Sequence, residues 1–137
     1  MINRFDLKVD YIFDLNHIKI CVDSILYMEQ YYGKIYKITC KTTNKVYFGS
    51  TTFIVLHFRL LNHEQCYCEY KRGKRAFQTS FEILEGNDYV IELVENVVGT
   101  CKKDLLLRER YYIENYECVN RFVPLRTRKE YYAATKK

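Results

Sequence analysis

Apolar and polar positions divide the chain into a few short, distinct patterns. Residues 34–40 and 45–49 are strand-like runs joined by Lys41-Thr42-Thr43-Asn44, and asparagine favours such turns. Side chains alternate faces along a strand. An even-numbered loop therefore sets Tyr36 and Tyr47 on the same face, whereas an odd loop or a bulge separates them. Residues 79–84 and 89–94 form a second strand-like pair around Gly86-Asn87-Asp88, a strong turn signal.

Two segments carry helical periodicity. Over residues 53–64, Phe53, Leu56 and Leu60 fall on one core-facing stripe, and Ser50, Thr51 and Thr52 offer capping hydroxyls. Arg59 and His63 are four residues apart and share a neighbouring face. Residues 66–76 read as a loop or irregular helix. Gly99-Thr100 opens a helix over 102–116, with Leu105, Leu106, Tyr112, Ile113 and Tyr116 as its apolar stripe. Glu109 interrupts that stripe. An unpaired buried carboxylate is costly, so Glu109 calls for a cation: a metal ion, a salt bridge with Arg59, or a stripe edge open to solvent. Residues 1–30 carry short apolar runs separated by acids, compatible with short strands or with a strand and a helix.

Composition narrows the classes. The chain has 137 residues, 48% of them hydrophobic, which suits one modest core. No apolar run approaches the ~20 residues that span a bilayer, so no membrane partner is expected. The first residues lack a secretory pattern, which predicts a soluble intracellular protein of cytoplasm, nucleus or, for a viral protein, the host cell. The six cysteines include no C-x2-C pair, so free thiols are expected rather than a zinc site. The net charge of +5 is uneven: residues 1–30 hold −2 and residues 31–137 hold +7. Positive excess on the larger part suits a polyanion.

In order, Lys34-Ile35-Tyr36, Tyr47-Phe48-Gly49, Gly49-Ser50-Thr51, Arg59, His63, Glu109 within Leu107-Arg108-Glu109-Arg110-Tyr111-Tyr112-Ile113, and Asn120 resemble the motif set of the GIY-YIG family of DNA endonucleases. The resemblance covers roughly residues 33–124. The family's first glycine is replaced by Lys34, with Gly33 one position earlier, which touches local backbone geometry more than chemistry. The resemblance implies an α+β fold, a small three-stranded antiparallel sheet flanked by helices, and the strands and helices read above are consistent with it. It divides the chain into an N-terminal extension (1–30), a nuclease domain (31–124) and a basic C-terminal tail (125–137). The member it suggests is small, stand-alone and viral or phage-like.

The activity implied is metal-dependent hydrolysis of DNA phosphodiesters. Glu109 would hold a single Mg2+ or Mn2+, a hard cation that keeps several waters. Arg59 would grip a non-bridging oxygen, since its planar fork suits phosphate. Tyr36 would act as general base, with Tyr47 positioning the water, and Gly49 and Asn120 would support the site. A free phenol with pKa near ~10 is a poor base at neutral pH, so Tyr36 needs a lowered pKa or a route to pass its proton onward. Lys45 is a candidate for the lowering charge and otherwise a strand-edge lysine. His63 is a candidate proton carrier and otherwise a helix-surface histidine.

DNA, double-stranded or branched, is the expected partner. Lys71, Arg72, Lys74 and Arg75 form one basic cluster, and Arg126, Arg128 and Lys129 another. Lys102 and Lys103 sit in the first turn of the Glu109 helix, where cations oppose the dipole and an external anion would relieve them. Each cluster is equally readable as a solvated face. Two-strand cutting would call for a homodimer or for sequential nicking. Two other readings share these residues: a catalytically inactive nucleic-acid-binding module of the same fold, and an interaction protein built on residues 1–30.

Overall fold

The computed structural model describes residues 30–136. The expectations for the N-terminal extension lie outside them. Three strands form an antiparallel sheet: β1 (Tyr31–Cys40), β2 (Val46–Thr51) and β3 (Tyr89–Gly99), in the order β2-β1-β3. Four helices accompany it: α1 (Leu56–Lys71), α2 (Phe81–Leu84), α3 (Lys102–Asn115) and α4 (Arg128–Thr135). This is the α+β class expected, with a three-stranded antiparallel sheet.

The central strand β1 is covered on both faces. Tyr36, Ile38 and Cys40 pack with Ile83 of α2, and with Leu56 and Leu60 of α1. On the opposite face Ile35 packs with Val97 and with Leu105 of α3. A central strand buried on both sides keeps consecutive residues such as Ile35 and Tyr36 fully covered. A register shift at Ile35/Tyr36 leaves Val94 of β3 as the extra residue: Ile35 pairs with Glu95 and Tyr36 with Leu93.

The β1–β2 turn is even, as the face argument required. Cys40 and Lys45 close the four-residue loop through backbone bonds, and Asn44 takes a positive φ of 56°. Tyr36 then pairs with Gly49, and Tyr47 with Ile38, so both tyrosines leave the same face.

Expectations fail in two segments, 79–84 and 53–64. Residues 79–84 do not form a strand of a second hairpin. Phe81–Leu84 is one helical turn, with Phe81, Ile83 and Leu84 all buried. The turn at Asn87 is real, with φ 54°, but it leads from that helix into β3. Three buried positions in four residues satisfy neither strand alternation nor a long helix, so the short pattern misleads. The helix expected over 53–64 starts later and runs further, to Lys71. Ser50 and Thr51 are spent in β2, paired to Ile35 and Lys34, and therefore cap nothing; the N-cap is Val55 with no side-chain bond. Phe53, expected in the core, is 45% exposed. Among the described residues no helix is long and apolar enough to cross a membrane, and Cys40, Cys66, Cys68, Cys101 and Cys118 are free.

Candidate active site at the edge strand

The site is assembled around Gly49 and Ser50 of the edge strand. Gly49 faces the α1 side, beneath the Tyr36 ring. A Cβ there would lie 2.6 Å from Tyr36 Cζ, so the close approach demands glycine. Ser50 faces the α3 side, where its hydroxyl donates a short hydrogen bond to Glu109 Oε2. Adjacent residues of one strand thus join a tyrosine cluster on one face to a carboxylate on the other. The outer edge of β2 is closed by the chain after α3. Val119 N–H donates to Val46 O at 2.8 Å. The Asn120 amide accepts from Phe48 N at 2.9 Å and donates to Phe48 O at 2.7 Å. The clamp satisfies an edge that would otherwise expose its backbone.

On the α1 side five groups converge. Arg59 Nε donates to the Tyr36 hydroxyl at 2.9 Å. That hydroxyl lies 2.7 Å from His63 Nε2, and His63 Nδ1 lies 3.1 Å from Ser80 Oγ. In the neutral tautomer that carries its proton on Nδ1, Tyr36 donates to Nε2 while accepting from Arg59, and Nδ1 donates to Ser80. The Tyr36 and Tyr47 rings lie 6.5 Å apart, and Tyr47 is 5.5 Å from His63. His63 is 3% exposed, so it is no surface histidine. Burial, aided by the Arg59 charge, drops its pKa to about 3.

Burial also pushes Tyr36 up to about 12, against the charge and hydrogen bond of Arg59. Tyr47 is raised as well, chiefly by burial and then by its neighbours Tyr36 and Glu109. Of the two routes read from the sequence, a lowered phenol or an onward path for its proton, the first is therefore not present in the free protein. Nor is Lys45 its source: its ammonium reaches Glu82 at 3.5 Å, and the cation that pulls on both phenols is Arg59.

Glu109 is half-buried on α3. Burial raises its pKa, opposed by the Ser50 hydrogen bond and the Arg59 charge. It forms no direct ion pair with Arg59 among the described residues; Ser50 holds it, through the hydroxyl at Oε2 and through its backbone. A half-buried carboxylate with no ion-pair partner among the described residues fits a hard cation. No cluster of three or more His, Cys, Asp or Glu side chains surrounds it among the described residues. A cation there would draw its remaining ligands from water and substrate, the habit of Mg2+.

A groove of about 530 Å³ opens over Tyr47, Arg59 and His63, walled by Phe77, Arg121 and Phe122. Tyr36 lies beneath it with no exposed surface. Ser80, Arg121 and Phe122 were not picked out from the sequence. Ser80 carries no local signal, whereas Arg121 and Phe122 follow Asn120 directly and could have been suspected from that position.

The basic residues lie elsewhere. Lys71 and Arg75 are held by Glu85 and Glu69, at 3.2 and 2.9 Å. Lys71 ends α1 and Arg72, Lys74 and Arg75 follow it, so Lys71 sits roughly 18 Å along the helix from Arg59. Lys102 and Lys103 are exposed at the start of α3, where Asp104 caps the helix through Thr100 and Cys101. Arg128 and Lys129 begin α4, so the tail is helical over Arg128–Thr135, capped by Thr127.

The chain matches no family model, and no curated protein matches it. Among solved structures, the catalytic domain of the intron endonuclease I-TevI, in a point-mutant form, superposes with a TM-score of 0.44. The identity is 19%, over 61% of this chain and 82% of that domain.

Proposed function

We propose that this protein is a metal-dependent DNA endonuclease. The observation that carries the proposal is the shared Tyr36 hydroxyl, bonded to both Arg59 and His63, with the Glu109 carboxylate held by Ser50, the residue after Tyr36's partner Gly49 on the edge strand. Phosphodiester hydrolysis needs an anion grip, a proton acceptor and relief of charge on the leaving oxygen, and these groups supply the parts. The ordered motifs from Tyr36 to Asn120 support the same reading.

Arg59 lines the groove and would take a non-bridging phosphate oxygen. In doing so it would leave the Tyr36 hydroxyl, which it now covers, and open that oxygen to water. With the imidazole protonated on Nδ1, the Tyr36 proton points to His63 Nε2, and the phenol would accept a proton from water while passing its own onward. An anion against Arg59 also weakens the charge that depresses His63, which favours that transfer. Tyr47, facing the groove, orients the water. Glu109 would hold Mg2+ or Mn2+, which when bound neutralises charge on the phosphate and leaving oxygen.

Purified protein should convert supercoiled plasmid to nicked or linear forms with Mg2+, not with EDTA, and Glu109→Ala should lose this. One observation favours a second reading, an inactive nucleic-acid-binding module: both phenols are raised and Tyr36 is covered. Salt-sensitive DNA binding without cleavage of plasmid, branched or damaged DNA would establish that reading instead.

A further inference from the structure

The chain beyond Asn120 builds a second groove, about 320 Å³, lined by Arg121, Phe122, Arg126, Arg128, Tyr131 and Tyr132 among others. Its aromatics face solvent: Phe122 is 76% exposed, Tyr131 53% and Tyr132 60%. Arg128, Tyr131 and Tyr132 share one face of α4 by helical spacing. The two tyrosine rings meet edge to face at 5.7 Å, so they present differently oriented surfaces. The acid of that helix, Glu130, is spent on Arg110 and on the Thr127 cap. Arg121 is paired with Glu82, whereas Arg126 and Arg128 form no ion pair among the described residues. Arg121 and Phe122 also wall the Tyr47–Arg59–His63 groove, so the two grooves are neighbours that share this wall.

We propose that this groove binds an unpaired DNA strand running from the phosphate held at Arg59. Arginines alone would serve duplex and single strand alike through phosphates. Exposed rings distinguish them: bases within a duplex are stacked on each other, whereas unpaired bases stack on aromatic side chains regardless of sequence. The protein therefore favours junctions and flaps over continuous duplex. The proposal rests on the nuclease reading for the strand's direction, but its binding arm needs no cleavage, so the two fail separately.

The test is fluorescence anisotropy in EDTA, with a labelled oligothymidylate of about 12 nucleotides and a duplex of equal length. Tyr131→Ala/Tyr132→Ala should weaken single-strand binding about tenfold or more, since each stacked ring contributes at that scale, and leave duplex binding nearly unchanged. Tyr131→Phe/Tyr132→Phe keeps the rings and should bind the single strand as the native chain does. Phe122→Ala, on a different segment, should repeat the alanine result. An equal loss on both DNAs, or no loss on the single strand, overturns the proposal. Tighter binding of oligouridylate than of oligothymidylate overturns the assignment to DNA.

Discussion

The Tyr36 hydroxyl and His63 Nε2 are 2.7 Å apart in the interior, joining a strand residue to a helix residue 27 positions later. The pair links stability to chemistry, because the same hydrogen bond that satisfies a buried imidazole gives the phenolic proton a route to His63 when Nδ1 carries the ring proton. Tyr36→Phe removes it. Cleavage should fall by about 10²–10⁴, the usual contribution of a positioned acid or base. The unpaired His63 should cost about 1–3 kcal/mol. DNA binding in EDTA should persist; full activity in the variant would sink the proton-transfer role.

The depressed His63 sets a pH dependence. Its folded pKa of about 3 lies below the unfolded ~6.5, so the unfolded chain binds more protons between those values and stability falls as pH drops below about 6.5. Melting temperatures at pH 6.5 and 5 should show the decline before most carboxylates titrate. His63→Gln should flatten it, and parallel slopes would contradict the assignment.

Glu109 should behave oppositely to a structural residue. Burial raises its pKa, so the folded state holds its proton more tightly, and this group costs stability as pH rises through that range. Glu109→Gln keeps an acceptor for Ser50 and removes the charge. Urea denaturation at pH 7 should find it as stable as the native chain or more so, while Mg2+-dependent cleavage disappears. A large loss of stability would mark Glu109 as structural.

Gly49→Ala places a methyl group within 2.6 Å of the Tyr36 ring, beneath a side chain fixed by Arg59 and His63. Overpacking of this kind costs about 1–3 kcal/mol. A lowered urea midpoint with reduced cleavage is expected, and an unchanged midpoint would mean that the ring moves freely.

Asn120→Ala leaves both polar groups of Phe48 without their amide partner. The expected cost is about 1–3 kcal/mol, the penalty for stranding part-buried polar groups. Faster amide exchange at Phe48 than at the inner strand β1 would locate the effect at the sheet edge.

Local sequence determined much of this. The even loop at Lys41–Asn44 and strand alternation placed Tyr36 and Tyr47 on one face. The 3.6-residue period located α3 and marked Glu109 as a carboxylate within an apolar stripe. Such signals survive because they depend on residues a few positions apart. Tertiary structure decided what those residues meet. It turned 81–84 into a helix because three of its four side chains fit the core, and it drew Ser50 from a helix cap into an edge strand against Glu109. His63 acquired partners from β1 and from Ser80, and Lys45 was taken by Glu82. Burial, which no local pattern reports, raised the phenols and lowered the imidazole. Charge and proton affinity depend on neighbours supplied by the whole chain, and for that reason the chemical state of the site was set by packing.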